Sequence, residues 1–95
     1  MRLNQRLMRY IDKEDLEDNK FYVVTENDYK WIVRKGLYNS YIMTNNPSFN
    51  NGFKFYGNYQ YREADPHEIK WLGECIKHNK LVPKPPLNFD NYDIY

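Results

Sequence analysis

Asp65-Pro66-His67-Glu68 is the most constraining stretch of this sequence, because it opens a helix and suits little else. Asp at the N-cap, Pro at the first helical position and Glu at N3 each satisfy or remove a backbone donor that a helix start leaves orphaned. Ile69, Leu72, Cys75 and Ile76 follow as an apolar stripe, and Lys77, His78 and Lys80 put positive charge at the negative end of the macrodipole. Pro83, Pro85 and Pro86 forbid continuation. The pattern predicts a helix from Pro66 to Asn79. Such a helix cannot bury its stripe alone, so the residues before it must supply a surface for it to cover.

Those residues are short of aliphatic side chains and rich in rings. The 95-residue chain carries ten Tyr, five Phe and two Trp, enough to give a thin single core without many Leu or Ile. "KFYVVT" reads as a strand over Phe21–Thr25, "LYNSYIMT" as one over Leu37–Thr44 ended by the turn signal Asn45-Asn46-Pro47. Asn51-Gly52 suggests a tight hairpin leading into a strand at Phe53–Tyr56, with another at Tyr59–Glu63. Phe53 and Phe55 would then face Tyr59 and Tyr61 across a ladder.

Two further helices are expected. Leu3, Leu7, Met8 and Ile11 recur at helical spacing, and the carboxylates from Asp12 onward suggest a break near Asp12–Asp15. Thr25 and Asp28 have N-cap spacing and Gly36 stands as a C-terminal stop, so the intervening "ENDYKWIVRKG" reads as a helix with Tyr29, Ile32 and Val33 inward. The expected fold is α+β: a small antiparallel sheet of about three to four strands packed against one or two helices. Residues 1–82 would form a single compact domain, and residues 83–95 a Pro-rich extended tail with an aromatic end.

Charge and cysteine content exclude several classes. Fourteen Lys and Arg against thirteen Asp and Glu give +1, far from a strongly basic phosphate binder or an acidic DNA mimic. Cys75 is the only cysteine, so no intrachain disulfide forms, and a cytoplasmic location is expected. The N-terminus lacks a signal-peptide core, and no apolar run approaches the ~20 residues of a membrane span.

No catalytic constellation emerges. His67 and His78 lie three turns apart and make no zinc spacing with Cys75. Cys75 and His78 could share a helix face as a nucleophile and base, yet Cys75 belongs to the apolar stripe, which favours burial as a small hydrophobe. Asp12, Glu14, Asp15, Glu17 and Asp18 read as a solvated face, and His67 as a surface residue. The dispersed glycines form no phosphate loop. The expectation is a non-enzymatic protein with no cofactor and no metal.

Two binding readings remain. The ring-rich residues Tyr56, Tyr59 and Tyr61, with Lys54 and Arg62, suit a single-stranded nucleic acid, whose bases stack on rings while cations follow phosphates and make affinity strongly salt-dependent. A protein partner would be contacted by the same Tyr56, Tyr59, Tyr61 and Arg62 and by Phe89, Tyr92 and Tyr95 of the tail, whose rings also suit a second copy of the chain as a homodimer or folding back onto the domain.

The stretch Ala64–Pro85, with Glu68, Trp71, Leu72, Cys75, Ile76, Lys80, Val82 and Pro83, resembles the C-terminal segment of some small accessory proteins of T4-like tailed phages. Such proteins commonly bind host proteins to redirect or inhibit them. The resemblance implies a host-protein partner, and this is the leading expectation, with nucleic acid second.

Overall fold

The computed structural model describes residues 10–36, 40–44 and 46–84. The expected first helix therefore lies outside the described residues except for its end, as do the start of the Leu37–Thr44 strand and the tail residues Phe89, Tyr92 and Tyr95. The strands are β1 (Phe21–Glu26), β2 (Tyr29–Arg34), β3 (Tyr41–Met43), β4 (Phe49–Asn50) and β5 (Gln60–Glu63), followed by helix α1 (Pro66–His78). A 3-10 turn at Lys13–Asp15 precedes them. The strands form one antiparallel sheet in the order β4-β3-β2-β1-β5. The fold is thus α+β with an antiparallel sheet packed on α1, and among the described residues the sheet has five strands rather than the three to four expected.

Two of the five strands were not expected: the short β4 at Phe49–Asn50, and β2, which comes from the segment read as a helix. Thr25 is no N-cap: it sits within β1, opposite Lys30 of β2 and Gln60 of β5. Asn27 and Asp28 make a two-residue hairpin turn in which Asn27 takes φ 55°, a conformation Asn tolerates better than most residues. Beyond it Tyr29, Trp31 and Val33 alternate with Lys30, Ile32 and Arg34, a period of two whose aromatic and β-branched members fit a strand. Tertiary pairing on both sides of β2 outweighs the cap-like spacing.

The Asn51-Gly52 hairpin is also absent, and Phe53–Tyr56 is not a strand. The topology explains why. β4 lies at one edge and β5 at the other, about 19 Å away across four strand spacings. Residues 51–59 must make that crossing, for which their extended reach of about 30 Å is ample. They cross the face opposite α1 and bring Phe53 and Phe55 with them.

Each sheet face therefore has its own cover. On one side Val23, Ile32 and Ile42 meet Trp71, Leu72 and Cys75 of α1. On the other, Tyr22, Val24, Val33 and Tyr61 lie beneath Leu16 and the crossing loop. The stretch Asp12–Asp15, where a break after the first helix is expected, carries the 3-10 turn Lys13–Asp15, after which Leu16 is extended and buried. The Glu17 N–H donates to the Tyr22 hydroxyl at 2.8 Å and pins this segment to the sheet. Ile11, placed by its periodicity at the end of a helix, instead bridges Tyr61 as extended chain.

Helix α1 begins as its sequence requires. The Glu68 N–H donates to Asp65 Oδ1 at 2.9 Å and the Asp65 N–H to Glu68 Oε1 at 2.8 Å, a reciprocal capping box. It ends with Asn79 at φ 54°, whose N–H reaches the Ile76 carbonyl while that of Lys80 reaches Cys75, the paired bonds of a Schellman motif. Gly73 marks no close approach, since nothing lies within 4 Å of where its Cβ would stand. Trp71 donates through Nε1 to the Val82 carbonyl at 2.9 Å, and Lys84 lies over its ring, so the proline-rich exit starts along the helix.

Candidate aromatic interface

The rings of the face opposite α1 form one connected array. Tyr29 and Trp31 point the same way from β2 because they are two residues apart, and their centroids lie 6.0 Å apart with planes inclined by 24°. Tyr59 continues the row at 5.8 Å and 25° from Trp31. Phe53, delivered by the crossing loop, touches Trp31, Tyr41, Phe55 and Tyr59 at 5.0 to 6.1 Å. Tyr56 stands edge-on to Tyr59 at 5.3 Å and 83°. Each offset or edge contact adds about 0.5 to 1.5 kcal/mol beyond area burial, so the rings stabilise one another. The expected meeting of Phe53 with Tyr59 and Phe55 with Tyr61 does occur, but as a loop lying on a sheet rather than as a ladder.

The array is open at its ends. Tyr29 is 52% exposed and Tyr56 47%, while Trp31, Phe53 and Tyr59 are half-buried. An open groove of about 720 Å³ adjoins Tyr59, between Gly57 and the Ile11–Leu16 segment, with Lys35 on its wall. Lys54 is exposed between the two phenylalanines, and Lys35 lies 5.7 Å from the Phe55 centroid while also reaching Asp18 at 3.4 Å. Burial, with the Glu26 carboxylate and then Tyr56 adding to it, raises the Tyr59 phenol from its ordinary value.

Two residues expected in this interface are elsewhere. Tyr61 is fully buried beneath Phe55 and Tyr59, its hydroxyl donating to the Tyr56 carbonyl, and it supports the array without reaching the surface. Arg62, next in the strand, points to the opposite face and grips Glu68 with two bonds of 3.1 and 3.3 Å. The pair is mostly shielded, at 21% and 16% side-chain exposure, so Arg62→Ala should cost about 1.5 to 3 kcal/mol in chemical denaturation. Arg62→Lys should recover only part, since an ammonium cannot make the fork. Conversely, Tyr29 and Trp31 belong to the array although the N-cap-like spacing of Thr25 and Asp28 predicts a helix there. The signal available was their alternation with Lys30 and Ile32.

Tyr61 also predicts an alkaline limit. Burial, with Tyr59 adding to it, pushes its phenol up to about 12. In the unfolded chain the phenol ionises near pH ~10, so above that the unfolded state binds fewer protons and is favoured. This contribution is intact below ~10 and is lost as pH rises to ~12. Denaturation midpoints in that window should fall more for the wild type than for Tyr61→Phe.

The candidate reactive groups are not brought together. Cys75 is fully buried, which raises its thiol and disfavours the thiolate, while His78 is exposed beside Glu74. His67, expected at the surface, is buried in the first turn of α1, one residue before the Glu68 that pairs with Arg62. Glu17 and Asp18 are exposed and meet Lys20 and Lys35. Among the described residues no group of three or more His, Cys, Asp or Glu side chains could hold a metal ion, and no helix is long and apolar enough to cross a membrane. Compared with family models, curated proteins and solved structures, the chain matches none.

Proposed function

We propose that the protein binds a single-stranded nucleic acid on the face opposite α1. The observation that carries this reading is the row Tyr29–Trp31–Tyr59, in which Trp31 lies within 25° of each neighbouring ring, between exposed Tyr29 and exposed Tyr56. Nearly aligned, partly open rings are what unpaired bases stack on, and stacking is tolerant of sequence because every base has a π face. Ring contact carries most of the affinity and phosphate contact little. Lys54 is an exposed cation beside the array and Lys35 shares its charge with Asp18, so neutralising at most two phosphates of a single strand gives a log–log salt slope no steeper than roughly −1.4. The steep salt dependence expected with Arg62 in the site is replaced by a shallow one.

Tyr29→Ala and Tyr56→Ala should each weaken oligonucleotide binding by about 1 to 3 kcal/mol, measured by fluorescence anisotropy, with little loss of fold because both rings are half-exposed. Arg62→Lys should leave affinity unchanged. A host-protein partner, which the phage resemblance implies, makes a different forecast: no oligonucleotide binding at low salt, and stoichiometric capture of one protein from bacterial lysate that the tyrosine substitutions abolish.

A further inference from the structure

Asn51-Gly52 does not make a hairpin, yet it occupies a joint of the fold. The Asn51 side chain accepts a hydrogen bond from the buried Ser40 hydroxyl at 3.3 Å and donates through Nδ2 to Asn79 Oδ1 at 3.0 Å. It thereby ties the start of the crossing loop to the sheet and to the C-terminal cap of α1. We propose that Asn51 is a site of spontaneous deamidation, restrained by its bond to Asn79, and that conversion releases the loop bearing Phe53, Phe55 and Tyr56.

The chemistry requires only the chain and water. The Gly52 amide nitrogen attacks Asn51 Cγ, the Cγ–Nδ2 bond breaks, and ammonia leaves carrying the proton lost from the Gly52 nitrogen. Water then opens the cyclic imide at either carbonyl, giving aspartate or isoaspartate. Glycine is the least hindered following residue because it lacks Cβ, and nothing lies within 4 Å of the Cβ position at Gly52. What restrains the reaction is the tether: Cγ cannot swing toward the Gly52 nitrogen while Nδ2 is held by Asn79. The product has no donor for Asn79 Oδ1, so the tether is kept only if the Asn79 amide turns its Nδ2 inward, and the new negative charge stands at the negative end of the α1 dipole, which weakens the joint. None of this depends on what the aromatic face binds.

The test is peptide mapping by mass spectrometry during incubation of the folded protein at mildly alkaline pH. Asn51 should convert before Asn27 and Asn58, with isoaspartate among the products. Asn79→Gly removes the tether while keeping a residue suited to φ 54°, and should speed conversion severalfold. Gly52→Ala, tolerated because the position is open, should slow it by at least as much. Asn51→Asp, imitating one product, should melt at a lower temperature than the wild type. The proposal is overturned if Asn27 or Asn58 converts first, or if Asn79→Gly reacts at the wild-type rate.

Discussion

Tyr61→Ala should lower the stability of the fold by about 3 to 5 kcal/mol, the range for removing a large buried ring. A domain of this size has only about 5 to 15 kcal/mol in total, so the variant should be partly unfolded at moderate temperature. Tyr61 is fully buried, pairs with Val24 across β1 and β5, stacks on Phe55, and bonds the Tyr56 carbonyl. Its removal empties the space beneath the crossing loop and leaves a carbonyl without its donor. Tyr61→Phe keeps the ring and loses only the hydroxyl, so it should cost about 1 kcal/mol. Urea denaturation of the pair separates packing from hydrogen bonding. Equal losses would mean that the ring is not the keystone of this face.

Leu72→Ala is the corresponding change on the other face, with an expected cost of about 2 to 5 kcal/mol. Leu72 is fully buried with Val23, Ile32 and Ile42 beneath α1. Ile76, one turn on, is only partly buried, so Ile76→Ala should cost clearly less. The two cores lie on opposite sides of one sheet and share no side chain, since alternate residues of each strand belong to different faces. The double variant Tyr61→Ala/Leu72→Ala should therefore be near-additive and unfolded. Retention of a cooperative transition in it would contradict the two-core arrangement.

The parts legible in the sequence were those whose local chemistry admits one outcome. The cap residues Asp65, Pro66 and Glu68 allow little but a helix start, and Phe21–Thr25 is too β-branched to be much else than a strand. The segment Tyr29–Arg34 was ambiguous: Tyr29, Ile32 and Val33 share a helical face, while Tyr29, Trp31 and Val33 share a strand face. Only the partners β1 and β3 decide between them. Asn51-Gly52 misled for a related reason. A turn propensity is local, but the connection from β4 to β5 is set by where the two edges of the sheet lie. The same error removed Tyr29 and Trp31 from the candidate interface. Arg62 was a different failure, because alternation with Tyr61 already put it on the opposite face, and its capture by Glu68 follows from that.

The placement of the two tryptophans makes the proposed nucleic-acid binding on the face opposite α1 directly testable. Trp31 lies in the exposed array, whereas Trp71 is buried against the sheet with its indole N–H bonded to the Val82 carbonyl. Titration of the isotopically labelled protein with a short single-stranded oligonucleotide at low salt, followed through the two indole N–H resonances and the tyrosine rings, reads both faces at once. Saturable shifts of Trp31, Tyr29, Tyr56 and Tyr59, with Trp71 unmoved, are the predicted result; no saturable shift, or shifts centred on Trp71 and α1, would contradict it.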